Sequence, residues 1–296
     1  MKPKKATIIY NPVSGRSMFR ERRVRKMISL LEGRGIATNS AATSGPNTGA
    51  GLAREAISDG SNVIICHGGD GTLNEVLPGI AGTSANLAVW AGGTANVTAL
   101  DLKMPRRLIR VADVIAQGKA MQVSLGMASN KNATRYFLMF AGIGLDASIC
   151  RRVNPRLKRL TGQIAFWVSG IKHLIAWREK PFLITADGES YESGFSLVAN
   201  GKGYGGGIVM APDARLEKPE FQVFIMPRGL SRFAYIRALI NAVAGRTAGT
   251  GGRLVRATNI AAEGMAETWV QVDGEPIGTL PMRFSIVPKA LSIIVP

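Results

Sequence analysis

Acidic side chains are scarce in this 296-residue chain: 20 Asp plus Glu stand against 37 Lys plus Arg, a formal net charge of +17. A surplus of that size points to a polyanionic partner, whether nucleic acid, nucleotide phosphate or an anionic membrane face. Cysteine is nearly missing too. Cys66 and Cys150 alone exclude a disulfide framework and suit a reducing compartment. Histidine occurs only at His67 and His173, and no Cys-x-x-Cys occurs, which excludes the common zinc-binding spacings. Long apolar runs are absent: none approaches the roughly 20 residues of a membrane-spanning helix. The best stretch, 160–177, is broken by Gln163, Lys172 and His173, and the run 6–10 is too short for a signal peptide core. With 46% apolar residues and 35 Gly, a disordered or fibrous chain is excluded as well. The expectation is a cytoplasmic protein of one large or two modest domains.

The first third of the chain alternates. Residues 6–10, 63–66 and 87–90 are short β-branched or apolar runs that read as buried strands. Between and after them come helical stripes: Val24, Met27, Ile28 and Leu31; Leu73, Val76, Leu77 and Ile80; Leu108, Val111 and Ile115. Strands alternating with helices predict a parallel sheet in an α/β domain. Beyond about residue 120 the pattern changes to short strands at 121–127, 136–141, 195–200, 221–226, 268–272, 282–287 and 291–295, divided by Gly, Pro and Asn. That spacing predicts a mainly antiparallel β-sandwich, interrupted by helices near 160–177 and 231–245. The domain boundary is expected near residue 122.

The sharpest feature is Gly68-Gly69-Asp70-Gly71-Thr72-Leu73-Asn74-Glu75, which leaves the second predicted strand and opens the second predicted helix. A glycine-rich strand-to-helix turn brings backbone N–H groups and the helix dipole to bear on phosphate. Asp70 would repel phosphate unless a Mg²⁺ lay between them. Two more small-residue loops follow predicted strands: Asn11-Pro12-Val13-Ser14-Gly15-Arg16 and Gly92-Gly93-Thr94-Ala95-Asn96. Ligands of open α/β sheets bind at the carboxyl ends of the strands, so the three loops are candidates for one nucleotide site. Arg16 is a candidate phosphate contact. Cys66 and His67 invite a metal reading, but packing under the loop explains them better.

These residues carry a resemblance. Ile8-Ile9-Tyr10-Asn11-Pro12-Val13-Ser14-Gly15, then Gly68 to Glu75 and Gly93-Thr94-Ala95-Asn96, are similar to motifs of the diacylglycerol-kinase-type lipid kinases, a family that includes sphingosine kinases and bacterial lipid kinases. The similarity continues through Ala141-Gly142-Ile143-Gly144-Leu145-Asp146-Ala147, Asn200-Gly201 and Ala211-Pro212-Asp213-Ala214 to Val272-Asp273-Gly274-Glu275 and Pro288-Lys289-Ala290-Leu291. It implies an N-terminal nucleotide-binding domain over 1–122 that resembles NAD kinases and phosphofructokinases, completed by a returning strand in 288–296. A β-sandwich lipid-substrate domain would span 123–287. It implies ATP-dependent phosphorylation of a lipid hydroxyl, with ATP and Mg²⁺ over Asn11, Pro12, Ser14, Gly15, Thr43, Gly69 to Glu75 and Thr94, in a cleft between domains. Asp70 would organise Mg²⁺–ATP. Asp273 and Glu275 resemble the family's catalytic acidic pair, and either could take the hydroxyl proton. Read without the family, Asp273-Gly274 is equally a hairpin turn.

Three positions depart from the family pattern. Val97 follows Asn96 where many members have Asp, and Asp101 lies four residues on, where a helical turn could compensate. Ser124 stands where Asp is frequent; its hydroxyl is expected to bond Thr94 or Arg16. In Ala211 to Glu220, Lys218 replaces the Asp of a structural Mg²⁺ site in bacterial members. The expectation is that this metal site is lost and Lys218 occupies the cation's place.

Residues 1–30 hold nine basic residues and one acidic, and residues 151–180 hold eight and one, the latter beside Ile164, Phe166, Trp167 and Trp177. Such pairing suits an anionic membrane interface, although a helix packed on a sheet shows a similar stripe. No nucleic-acid module is recognisable. The expected function is a lipid kinase at the inner membrane face acting on diacylglycerol, phosphatidylglycerol, ceramide or a sphingoid base, with a homodimer left open. The alternatives are an NAD kinase, which shares Gly-Gly-Asp-Gly-Thr, and a catalytically weak lipid-binding homologue.

Overall fold

A computed structural model describes residues 5–13, 20–152, 180–204, 208–229, 251–265 and 267–296, with positions 231, 233, 234, 237 and 241. The helices expected over 160–177 and 231–245 lie outside the described residues, those five positions apart. The chain divides into two compact units, Met1–Val123 with Lys289–Pro296, and Ser124–Pro288.

The first unit is built on parallel strands β1 (Lys5–Tyr10), β2 (Ala37–Ala42), β3 (Val63–Gly68) and β4 (Asn86–Ala91) in the order β4-β3-β1-β2. The end of β17 (Met282–Val295) adds beside β4, also parallel, through Ser292 and Ile293. Every residue of β3 is buried, because helices cover both faces of the sheet. Helices α1 (Arg20–Glu32) and α5 (Leu108–Gln117) bury Val24, Met27, Leu31, Val111, Ala112 and Ile115 against Ile8, Ile65, Ala88 and Trp90. All but Ala112 belong to the predicted stripes, whose Ile28 and Leu108 are partly buried against the same core. Helices α2 (Gly49–Ser58) and α3 (Asp70–Ile80) pack together and against β1 and β3.

Strand β2 and helix α2 have no counterpart in the sequence reading. The segment Ala-Thr-Asn-Ser-Ala-Ala carries no aliphatic run, since β2 is the sheet edge and four of its six positions are exposed. α2 has Gly49 and Gly51 in its first turn and only ten residues, so its periodicity is faint. The one-turn helix α4 (Val97–Asp101) was equally unreadable.

The second unit is antiparallel. It contains β5 (Lys119–Ser129, shared with the first unit), β6 (Thr134–Phe137), β7 (Phe140–Gly144), α6 (Leu145–Arg152), β8 (Phe182–Ala186) and β9 (Glu189–Ala199). After the small ribbon β10 (Gly203–Tyr204) and β11 (Ile208–Val209) come β12 (Phe221–Pro227), β13 (Arg253–Ala257), β14 (Asn259–Gly264), β15 (Trp269–Val272) and β16 (Glu275–Thr279). The strand order runs β16-β15-β7-β9-β8-β14-β17, and β12 bridges β9 and β13. The run expected as one strand over 136–141 is two, β6 and β7, because Leu138 and Met139 turn between them. The last two expected strands are one, β17, despite Pro288. Its first part pairs with β14 and its last part with β4.

Alternating inward residues build one core in this unit. Phe137 is fully buried, stacked on Phe221 at 5.7 Å between centroids and edge-on to Phe284 at 6.5 Å. Replacing Phe137 by Ala removes the ring these two pack on. The expected cost is about 3–5 kcal/mol, read as a lower urea midpoint at unchanged m value.

Candidate active site

The three predicted loops sit at the carboxyl ends of neighbouring strands β1, β3 and β4. Gly69 is the N-cap of α3, in extended backbone, and Asp70 is the helix's first residue rather than part of a preceding loop. The Thr72 and Leu73 N–H groups donate to the Gly69 carbonyl at 3.0 and 3.2 Å. The loop after β4 lies against this turn: the Gly92 N–H donates to the Gly68 carbonyl at 2.8 Å, and a Cβ on Gly93 would stand 2.3 Å from the Gly69 Cα. No residue but glycine fits there. Asn96 closes its own loop, accepting from the Gly93 N–H and donating to the Gly93 carbonyl, both at 2.9 Å. The Asp70 carboxylate accepts the Thr98 N–H at 3.3 Å, joining α3 to α4. Cys66, Gly68, Gly69, Asp70 and Asn96 line one small cavity between the loops.

The remaining predicted nucleotide residues divide. Asn11 donates its N–H to the His67 carbonyl at 3.3 Å and accepts the Val13 N–H at 3.0 Å, so the first loop turns at Pro12 beside β3. Thr43 is buried, with its N–H on the Tyr10 carbonyl at 2.9 Å. Thr72 is buried, Gly71 and Asn74 are half-buried, and Thr94 is exposed. Glu75 faces α2 and accepts the Gly49 N–H at 3.4 Å, a helix-capping role absent from the sequence reading. Ser14, Gly15 and Arg16 lie outside the described residues.

Beneath the two glycine loops lies a buried polar stack. His67 and Trp90 are register partners on β3 and β4, with rings 3.5 Å apart and 12° from parallel. His67 Nδ1 meets the Trp90 carbonyl at 3.1 Å, and its Nε2 meets Arg20 Nη1 at 3.3 Å. A carbonyl only accepts and a guanidinium only donates, so Nδ1 carries the proton and Nε2 accepts. Burial pulls the imidazole down to about 3, and the Arg20 cation works in the same direction. Arg20, itself 5% exposed, also donates Nη2 to the Gly92 carbonyl at 2.9 Å. It thereby holds the loop after β4 from below. Burial likewise pushes the Cys66 thiol up to about 12. Cys66 and His67 are packing residues, and no cluster of three His, Cys, Asp or Glu occurs among the described residues. No sequence signal marks Arg20 or Trp90.

The acidic motif sits in the second unit, at the turn between β15 and β16. Asp273 (φ 46°) and Gly274 (φ 85°) both take the left-handed conformation that a two-residue hairpin requires. The Asp273 carboxylate accepts three backbone N–H groups: Leu138 at 2.7 Å, Met139 at 3.0 Å and Phe140 at 2.9 Å. Glu275, half-buried, is the first residue of β16. Behind the turn, Gln271 accepts the Gly274 N–H at 2.6 Å through Oε1 and donates Nε2 to Asp146. Tyr204 donates its hydroxyl to the other Asp146 oxygen. Burial raises the Asp146 carboxyl above the usual range, against the opposing pull of these two bonds.

The departures resolve as follows. Val97 and Asp101 are the two ends of α4. Ser124 is buried; its N–H donates to the Leu216 carbonyl at 2.7 Å and its carbonyl accepts from Asn200 at 2.8 Å, so the position serves as a backbone anchor. Lys218 does not take the expected cation's place. Its ammonium lies 3.5 Å from Glu220, whereas Arg215 Nη1 donates to the carbonyls of Pro212 at 2.7 Å and Ala214 at 2.8 Å. A longer, planar cation nearer the turn reaches these carbonyls and the lysine does not.

No helix among the described residues is long and apolar enough to cross a membrane. Residues 5–128 match the diacylglycerol kinase catalytic domain, and residues 140–295 match the YegS C-terminal NAD kinase beta sandwich-like domain. The chain is 29% identical over 299 residues to the diacylglycerol kinase of Bacillus subtilis, covering 99% of this chain and 97% of that one. It is 28% identical to the diacylglycerol kinase of Staphylococcus saprophyticus over 298 residues, with 99% and 96% coverage. Its fold matches the crystal structure of a diacylglycerol kinase from Bacillus anthracis with a TM-score of 0.81, 23% identity and coverage of 100% and 98%. Two domain matches that between them span almost the whole chain, in the order the motifs run, make this protein a member of the diacylglycerol-kinase family of lipid kinases, which use ATP to phosphorylate an alcohol.

Proposed function

We propose that the chain phosphorylates the hydroxyl of diacylglycerol at an anionic membrane surface, with the phosphates of ATP held over the loops after β1, β3 and β4. The carrying observation is the Gly69–Gly93 contact, which clears the N-terminal turn of α3 of side-chain bulk next to Asp70. Backbone N–H groups and a helix N-terminus there suit an anion. Mg²⁺ bound with ATP would neutralise charge on the transferring phosphoryl group. Asp70 fits that cation, since Mg²⁺ is ordinarily held by one or two carboxylates and the substrate's own phosphates. The choice of lipid follows the names of the two relatives, both diacylglycerol kinases.

Of the two acids in the motif, Glu275 is the general base and Asp273 shapes the turn. Both Asp273 oxygens accept backbone N–H groups from residues 138–140, which ties that side chain into the turn rather than toward a substrate. Membrane contact is supported by exposed cations: Arg22, Arg23, Arg25 and Lys26 on α1, and Lys103, Arg106, Arg107 and Arg110 around the exposed Leu100 and Ile109. Each basic residue near an anionic leaflet contributes about 1 kcal/mol. The protein then works on the cytoplasmic face. The loop 211–220 needs no divalent ion, its carbonyls being held by Arg215.

Three outcomes are expected. Radiolabelled ATP with a panel of diacylglycerol, phosphatidylglycerol, ceramide and sphingoid base labels diacylglycerol. Asp70→Ala abolishes labelling, and Glu275→Gln lowers kcat by roughly 10²–10⁴-fold; labelling of NAD instead of lipid would overturn the reading. Sedimentation with phosphatidylglycerol vesicles falls steeply between low and physiological salt, and salt-independent binding would count against the basic surface. EDTA leaves the melting temperature unchanged whereas Arg215→Ala lowers it; a metal bound at this loop in crystals grown with MgCl₂ would refute the Arg215 role.

A further inference from the structure

Gln271 is fully buried and Asp146 is 4% exposed, yet neither is a residue through which the proposed phosphoryl transfer passes. They meet behind the turn that presents Glu275. The direction of their bonds is fixed by elimination. The Gly274 N–H only donates, so the Gln271 atom it meets at 2.6 Å is the carbonyl oxygen. The amide nitrogen of Gln271 must then face Asp146, which accepts it. The second Asp146 oxygen accepts the Tyr204 hydroxyl. A chain of hydrogen bonds with assigned donors therefore links the ribbon β10–β11, α6 and β15 to the turn, converging on Asp146 from both sides.

Gln271 meets the turn from this side at the Gly274 N–H. Gly274 has no heavy atom within 4 Å of where a Cβ would stand, and both turn residues have positive φ. On the other side the Asp273 carboxylate is fastened to the N–H groups of Leu138, Met139 and Phe140. Asp273 thus clamps one flank and Gln271 the other, and Glu275 is the next residue along. A carboxylate that must sit within hydrogen-bond reach of a substrate hydroxyl needs its backbone fixed to well under an ångström.

We propose that Asp146 and Gln271 are positioning residues for the phosphoryl transfer: Asp146 sets the orientation of the Gln271 amide, which fixes the Gly274 N–H and so aims Glu275. This rests on the reading of Glu275 as the base. The polarity of the pair provides the test. In Gln271→Glu two carboxyl groups face each other, and the Gly274 bracket loosens. Adding Asp146→Asn restores a donor opposite an acceptor, with an oxygen still available to Gly274 and to Tyr204.

Steady-state kinetics with ATP and diacylglycerol micelles would read this directly. Q271E is expected to lower kcat by tenfold or more at an unchanged KM for ATP, whose proposed contacts lie in other loops. D146N/Q271E is expected to recover kcat to within a few-fold of the wild type. Melting temperatures of all variants separate aim from folding. Should Q271E not fold, Tyr204→Phe removes only one hydroxyl from the chain and is expected to lower kcat a few-fold at an unchanged KM for ATP. A Q271E enzyme with wild-type kcat overturns the proposal, as does a folded double variant no better than Q271E, or a Y204F enzyme with wild-type kcat. Glu275→Gln distinguishes the two layers. If it keeps full activity, the base assignment fails. If it is dead while Q271E is unimpaired, the bracket alone fails.

Discussion

Gly93 stands so close to Gly69 that no side chain fits at Gly93, and much of the architecture of the first unit serves that approach. The contact needs β3 and β4 to end level, which their parallel register achieves by pairing Gly68 with Ala91. It needs the loop after β4 to fold back at once, which Asn96 does by bonding both the N–H and the carbonyl of Gly93. It also needs support from underneath, because a glycine loop has no side chains with which to anchor itself. The stacked rings of His67 and Trp90, with Arg20 reaching from α1 to the Gly92 carbonyl, supply that support. A neutral His67 is required, since only its unprotonated Nε2 accepts from the guanidinium. The burial that lowers its pKa and the hydrogen bond that orders Arg20 are two aspects of one arrangement.

The second unit meets the same problem with different groups. A hairpin turn in left-handed backbone is local and easily deformed, and it carries the acids that a phosphoryl transfer would use. It is fastened on one flank by a carboxylate that takes three backbone donors and on the other by a glutamine whose orientation a buried carboxylate dictates. Polar groups placed inside a protein are costly unless paired. Where they are fully paired they specify a single geometry, and here the geometry specified is that of the turn.

How much of this was legible in the sequence depends on how local the cause was. Strands β1, β3 and β4 and helices α1, α3 and α5 were readable because each buries a periodic apolar set against one sheet. β2 and α2 were not, because an edge strand and a short helix opening with two glycines need little apolar pattern. The glycine-rich loops were legible as strand-to-helix turns from composition alone, and the fold places them at the ends of β1, β3 and β4. The bonds that hold them together did not show: Glu75 also accepts the Gly49 N–H, and Asn96 closes its loop on Gly93. Asp273 is the sharper case. Its spacing to Glu275 suggests two equivalent acids, and only the three N–H groups from a segment more than 130 residues away separate them. Lys218 erred in the same way, since which cation reaches the Pro212 and Ala214 carbonyls depends on the curl of the loop and not on its order of residues.

The scarcity of acids gives these placements a common logic. With 20 carboxylates against 37 cations, each acid has many basic side chains to choose from. Yet Asp70 binds the Thr98 N–H, Glu75 the Gly49 N–H, Asp273 three N–H groups, and Asp187 the N–H groups of Thr258 and Asn259, both at 2.8 Å. Such bonds satisfy a carboxylate without neutralising any lysine or arginine. Ion pairs at the surface contribute little to stability. These four acids clamp loops and turns through the backbone, while others pair with cations, as Asp113 does with Arg34 and Glu192 with Arg228. The charge surplus itself is set by the sequence, 37 cations against 20 acids, and a field of that sign attracts phosphate-bearing ligands.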